Sequence, residues 1–181
     1  MRLRALISPL VALAVLVLDQ ISKFVVASNF ELNQPWYPFS FLKPLFSITY
    51  IHNTGAAFGI LQNQNLLFTI IAIVVVIVIL GYVRSTPQPD LLIALALGLQ
   101  LGGACGNLVD RLRFGYVTDF LYVKYWAISN VADICITTGV LLLAYQLIFH
   151  TQQSTPAQPT STTSTAATPP TADGTTKSEI A

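Results

Sequence analysis

Charge is what this sequence has least of. Asp, Glu, Lys and Arg make up 9% of its 181 residues, against roughly 25% in ordinary soluble domains. Nine basic and eight acidic side chains leave a net charge of +1. No Lys/Arg cluster occurs, so there is no basic face for nucleic acid and no such partner is expected. Cysteine is scarcer still. Cys105 and Cys135 form no CxxC pair and both lie in apolar segments, which reads as two small buried hydrophobes. His52 and His150 are far apart in the chain. These scarcities argue against a Cys/His metal site; neither a metal nor a cofactor is expected.

What is abundant is apolar surface: 54% of the residues are hydrophobic, and the mean hydropathy is +0.65. Four runs carry it, at 6–27, 66–83, 91–109 and 130–149. About 20 helical residues at 1.5 Å each cross a hydrocarbon core of roughly 30 Å. A cleaved signal peptide is the rival reading of the first run and fits it poorly: the run is long, no small-x-small site follows, and Asp19 and Lys23 lie in its last turns. The "RSTPQPD" turn at 84–90 separates the second and third runs with two helix breakers. The expected fold is an all-α membrane protein of four transmembrane helices. An even number of spans puts both termini on one side, and Arg2, Arg4 and Arg84 mark that side as cytoplasmic. Lys43, Arg111, Arg113 and Lys124 would fall opposite, so the charge bias is partial.

The connections at 28–65 and 110–129 are then extracytoplasmic. "FSITYIHN" at 46–53, rich in aromatic and β-branched residues, predicts a strand. Trp36 and Tyr37 suit an interfacial anchor. A small β-element lying on the membrane is expected there. From 151 to 181 the chain turns Thr/Ser/Pro/Ala-rich, a composition that cannot bury a core and predicts a disordered cytoplasmic tail. Residues 1–150 form the expected membrane domain, and truncation after about residue 150 should leave activity intact.

The polar residues gather at one end of these spans. Asp19 and Lys23 close the first, and Asn53 precedes the second. Asn107, Asp110 and Arg111 end the third; Asn130 and Asp133 open the fourth. In an up-down-up-down arrangement all these ends share one membrane face. Asn107 and Asp110 share a helix face by their spacing, as do Asn130 and Asp133. Asp19 and Lys23 have the order favoured for a helical ion pair. Each residue has a purely structural alternative. Asp19–Lys23 can be an ion pair, Asn130 with Asp133 a capping box, Asp110–Arg111 an interfacial salt bridge, and Asp119 a water-facing acid. Their convergence on one face favours a site, because ionisable groups in membranes usually mark function.

Two carboxylates at a membrane surface, with no Ser/Lys dyad beside them, point to acid–base activation of water. Held close, they cannot both ionise easily, so one pKa rises and the pair shares a proton. The ionised acid takes a proton from the attacking water while the protonated one hydrogen-bonds the carbonyl oxygen.

At these residues the chain resembles the lipoprotein signal peptidases, or signal peptidase II. The matching stretches are "DQISK" at 19–23, "NTGAAFGIL" at 53–61, "GGACGNLVDRL" at 102–112, "GYVTDF" at 115–120 and "NVAD" at 130–133. The resemblance covers roughly residues 6 to 149. It implies an aspartic endopeptidase of the bacterial plasma membrane that removes the signal peptide from diacylglyceryl-modified prolipoproteins, just before the lipobox cysteine. By position, Asp119 and Asp133 match the family's catalytic dyad, and Asp19, Lys23, Asn53, Gly55, Asn107, Asp110, Arg111 and Asn130 its supporting residues. The implied fold adds a β-cradle and a short amphipathic helix to the four spans. Membrane lipid and globomycin-type inhibitors are implied partners, and a monomer is expected. The chain departs from the family's "WPxFNxAD" pattern, reading "WAISNVAD" with Ala127 and Ser129. A changed pocket wall near the dyad is the expected consequence.

Three other functions compete. A channel or proton-coupled transporter would need polar residues through the bilayer, yet the middles of spans two and four are nearly all aliphatic. A Mg²⁺-dependent transferase would be abolished by chelators. A membrane scaffold would be indifferent to Asp119→Asn.

Overall fold

The computed structural model describes residues 4–43, 45–55, 61–86 and 89–150. The tail expected to be disordered, and residues 56–60 of the "NTGAAFGIL" stretch, lie outside these. Four helices are long and apolar enough to cross a membrane. They are α1 (Ile7–Asn29), α2 (Asn65–Ser85), α3 (Leu91–Phe114) and α4 (Val131–His150). A 3-10 turn at Arg4–Leu6 leads into α1, and another forms at Ser40–Leu42. Strands β1 (Pro35–Trp36), β2 (Phe46–Asn53) and β3 (Val117–Val123) make an antiparallel sheet in the order β1-β2-β3.

Helix α3 is the centre of the bundle and packs against α1, α2 and α4. Its run of small residues explains why. Ala94, Ala96, Gly98, Gly102, Gly103, Ala104 and Gly106 are all buried, and small side chains let helices approach closely in lipid. A Cβ on Gly103 would stand 2.5 Å from the Ala132 carbonyl oxygen of α4, and one on Gly106 would run into the Asp19 carboxylate of α1. Near the opposite end, the Ser8 hydroxyl donates to the Ala94 carbonyl at 2.9 Å and ties α1 to α3 again. Helix α2 is aliphatic on nearly every face and buries only Thr69 and Ile79, as suits a helix bathed largely in lipid.

The ends of α3 are set by its sequence. The Asp90 side chain accepts a hydrogen bond from the Leu92 N–H at 2.9 Å and caps the start. Gly115, with φ 79°, ends the helix, its N–H bonded to the Arg111 carbonyl. The helix thus outruns the 91–109 span and carries Asp110 and Arg111 on its last turns. The chain then turns at once into β3.

"FSITYIHN" forms the whole of β2, as its composition predicts. Its partner β3 was not anticipated. The pairing runs Phe46↔Val123 to Ile48↔Leu121 and resumes at Ile51↔Asp119, with a bulge between. Past the bulge, Ile51, Asn53, Val117 and Asp119 share one face of the sheet. Beyond β3 the chain doubles back, and an isolated bridge between Leu121 and Ser129 sets Asn130 beside the strand. Trp36, Tyr37, Phe41, Tyr125 and Trp126 are exposed around the sheet, a distribution suited to a membrane–water interface.

Candidate active site

The site end of the bundle holds two groups of acids. The first is a buried ion cluster. Lys23 Nζ lies 2.8 Å from Asp19 Oδ2 and 3.1 Å from Asp110 Oδ2. All three side chains are almost completely buried. The remaining acceptor positions are also engaged. Asp19 Oδ1 accepts from the Ala132 N–H at 3.0 Å, which fastens the first turn of α4 to α1. Asp110 Oδ2 accepts from the Thr118 N–H at 2.9 Å, which fastens β3 to α3. The Gln20 amide donates to Asp110 Oδ1 at 3.0 Å and to Asp19 Oδ2 at 3.3 Å. A buried charge set persists only when paired and hydrogen-bonded in this way. Asp110 therefore pairs with Lys23 rather than with its neighbour Arg111.

The second group is Asp119 and Asp133, and among the described residues neither is in an ion pair. Asparagine amides hold them instead. Asn53 Nδ2 donates to Asp119 Oδ2 and Asn130 Nδ2 to Asp119 Oδ1, both at 2.7 Å. Asn107 Nδ2 donates to Asp133 Oδ1 at 2.7 Å. The other side of each amide fixes its orientation. Asn53 Oδ1 accepts from the Gly55 N–H, Asn130 Oδ1 from the Asp133 N–H, and Asn107 Oδ1 from Lys23 Nζ. Each of those partners can only donate, so each amide must turn its nitrogen to a carboxylate. Asn107 is thus the joint between the ion cluster and the unpaired acids.

The capping box expected at Asn130 forms as well. The Asn130 N–H donates to Asp133 Oδ2 at 3.2 Å, while Asn130 Oδ1 caps the Asp133 N–H. The structural and functional readings of Asn130 therefore hold together. One side chain starts α4, and its amide nitrogen bonds Asp119.

Asn53, Gly55, Asn107, Arg111, Val117, Asp119, Ile128 and Asp133 line one cavity of about 100 Å³. Arg111 is the single basic residue among them, and its guanidinium lies 5.7 Å from the Phe68 ring centroid of α2. Burial, and then the Asp133 charge, push the Asp119 carboxyl up to about 7. The Asn53 and Asn130 hydrogen bonds and the Lys23 charge pull it the other way. An acid so placed can hold or release a proton near neutrality.

All ten residues singled out in the sequence meet at this end. Asp119, Asp133, Asn53, Gly55, Asn107 and Arg111 line the cavity, while Asp19, Lys23, Asp110 and Asn130 brace it from behind. The sequence reading missed Gln20, Thr118 and Ala132. Two of these act through backbone N–H groups, which carry no side-chain signature. Ser129 lines a second cavity of about 230 Å³ with Trp126, Asp133, Ile134, Thr137 and Thr138.

Four membrane-length helices around a carboxylate-lined cavity under a small sheet define a multi-pass membrane protein with an acid site at one end. The sequence matches the profile of the signal peptidase (SPase) II family over residues 11–149. It is 45% identical to the lipoprotein signal peptidase of Moorella thermoacetica over 139 residues, covering 77% of this chain and 91% of that protein. It is 39% identical to the lipoprotein signal peptidase of Symbiobacterium thermophilum over 154 residues, covering 83% and 99%. A solved structure described as "Bacterial membrane enzyme structure by the in meso method" superposes with a TM-score of 0.75 at 30% identity, covering 83% of this chain and 93% of that one. The chain belongs to the signal peptidase II family, and it is a peptidase.

Proposed function

We propose that the chain removes the signal peptide from diacylglyceryl-modified prolipoproteins just before the lipobox cysteine, with Asp119 and Asp133 together activating water. Membership of the signal peptidase II family supports the reaction. The observation that carries the residue assignment is that, among the described acids, Asp119, which is buried, and Asp133, which is partly buried, line one cavity and have no ion-pair partner.

The chemistry follows from the protonation state. Near neutrality the pair holds one proton. The ionised carboxylate draws a proton from water as its oxygen attacks the scissile carbonyl. The protonated carboxyl donates to the carbonyl oxygen and offsets the charge that develops there. Collapse of the tetrahedral intermediate breaks the C–N bond, and a proton from the dyad goes to the leaving amine. The three oriented asparagine amides hold both carboxylates in place with no reorganisation during the reaction. Arg111 stands at the cavity wall, where it can hydrogen-bond a backbone carbonyl of the substrate.

The location suits the substrate. A signal peptide is an apolar helix, and the lipid chains on the cysteine stay in the bilayer. A site at the outer face of the plasma membrane meets the scissile bond without extracting either. The exposed aromatics of the sheet hold the cover at that level.

The test is a gel-shift cleavage assay on a diacylglyceryl-modified prolipoprotein, with and without chelator. Wild type should cut in both conditions. Asp119→Asn and Asp133→Asn should not cut in either. Cleavage that stops on chelation would overturn the aspartic mechanism.

A further inference from the structure

We propose that the cavity framed by the last turns of α1, the end of α3, strand β2 and the start of β3 binds the phosphodiester of one glycerophospholipid from the surrounding leaflet. Arg113 supplies the counter-charge, and the phenols of Tyr50 and Tyr116 supply hydrogen-bonding hydroxyls. The proposal goes beyond the peptidase reading, because the site shares no residue with the cavity that holds Asp119 and Asp133.

The cavity has a volume of about 180 Å³, room for far more than one water at a liquid share of roughly 30 Å³. Gln20, Lys23 and Phe24 of α1, Arg113 of α3, and Tyr50 and Tyr116 beside the sheet are among its walls, and no acid is. Lys23 adds no spare charge: its three N–H groups go to Asp19, Asp110 and Asn107. Arg113 differs. Among the described residues no acid pairs with it, and its guanidinium lies 5.0 Å from the ring centroid of its neighbour Phe114. The phenols are held in place. Tyr116 stacks on His52 with ring centroids 3.7 Å apart, and His52 Nε2 shares a hydrogen bond of 2.9 Å with the Tyr50 hydroxyl. Burial, and then Tyr116 beside it, push the Tyr50 phenol up to about 12, so it stays a neutral hydroxyl. An unpaired guanidinium beside two hydroxyls matches a phosphate, which takes forked hydrogen bonds from Arg and accepts from O–H groups.

Depth selects a lipid over a free anion. Arg113 stands four residues past the 91–109 span, a rise of about 6 Å. The headgroup layer is roughly 5–7 Å thick on each side of the hydrocarbon core, so the guanidinium lies at the level of the bilayer phosphates. Towards the core, Leu13, Val17, Gln20, Phe24 and Ala27 of α1 recur at three- and four-residue steps, one face of the helix. Leu13, Val17 and Phe24 are exposed on that face, which gives an acyl chain an apolar track below the cavity. A phosphate there also gives Arg113 a counter-charge at the end of the bundle where the positive-inside bias disfavours basic residues. Thr118, whose N–H holds Asp110, is a wall of the same cavity. A seated headgroup therefore braces the junction of β3 with α3.

The experiment uses the full chain in detergent, stripped of lipid. It is titrated in native mass spectrometry with phosphatidylglycerol, alone or against matched concentrations of diacylglycerol of the same chains or of inorganic phosphate. Wild type should bind one phosphatidylglycerol well before any further copy. Arg113→Gln should weaken that first binding about ten- to a hundredfold, and Tyr116→Phe about three- to tenfold. Lys124→Gln, which removes another basic residue at the same end, should leave it unchanged. Neither diacylglycerol nor inorganic phosphate should displace the lipid. Unchanged binding in Arg113→Gln, or an equal loss in Lys124→Gln, would overturn the site. Displacement by diacylglycerol would reveal an apolar belt only, and displacement by inorganic phosphate a free-anion site; either overturns the lipid assignment. In parallel, a photoactivatable phosphatidylglycerol should label α1 around Phe24 in wild type and far less in Arg113→Gln. Even labelling of α1, α2 and α4 would overturn the placement. If Arg113→Gln does not fold, Tyr116→Phe and the wild-type labelling pattern decide. The readout is binding, so a chain that binds the lipid here yet cuts no prolipoprotein would sink the functional reading and leave this proposal standing.

Discussion

Two groups of aspartates stand side by side in this molecule, and they are held in opposite ways. Asp19 and Asp110 share a lysine, accept backbone N–H groups from α4 and β3, and join three parts of the chain. Asp119 and Asp133 are held by amides, face a cavity, and lack an ion-pair partner among the described residues. Burial alone does not separate the two groups, since Asp110 and Asp119 are both 1% exposed. The counter-charge does. A buried acid with a cation fastens structure, whereas a buried acid with only neutral donors keeps a proton that can move.

The comparison breaks most visibly at the unpaired acids. Asp119→Asn or Asp133→Asn should cut cleavage by at least about a thousandfold while folded protein is still recovered. Cleavage assays and size exclusion on the same preparations would show both. The ion cluster should fail in the other way. Lys23→Met leaves Asp19 and Asp110 as uncompensated buried charges, and breaking a buried pair costs about 3–5 kcal/mol. Thermal unfolding in detergent should show a clear drop. A Lys23→Met protein that melts like wild type would deny the cluster its structural role.

Smaller effects sharpen the contrast. Asn53→Ala removes a hydrogen bond that lowers the Asp119 pKa. Activity should fall about tenfold, and the alkaline limb of the pH–rate profile should move above its wild-type position near pH 7. A limb that moves down would contradict the assigned bond. The same shift also marks stability. The folded Asp119 pKa of about 7 lies above its ordinary 3.8, so the folded state binds more protons between these values. Stability should therefore decline as pH rises from about 4 to about 7 and then level off. In Asp119→Asn that decline should flatten, as measured by melting temperature across the same range.

Much of this was legible beforehand. The spans show as long apolar runs, and their polar ends converge once the topology alternates. β2 shows in "FSITYIHN", every residue of which lies in the strand. β3 shows less plainly, although "VTDFLYV" is equally rich in β-branched and aromatic residues, because the charge of Asp119 interrupts its apolar pattern. The Asp19–Lys23 pair was readable from its spacing. That Asp110 completes it was not, because Arg111 is its neighbour in sequence and Lys23 becomes its neighbour only when α1 packs on α3. The division of the acids into paired and unpaired is a tertiary fact. It depends on which helix brings the lysine.

The most direct test of that division places Asp119→Asn beside Lys23→Met and records melting and cleavage on each preparation. Asp119→Asn should melt no lower than wild type and lose cleavage, and Lys23→Met should melt well below wild type. An Asp119→Asn protein that cuts as wild type does, or two variants that lose stability alike, would contradict it.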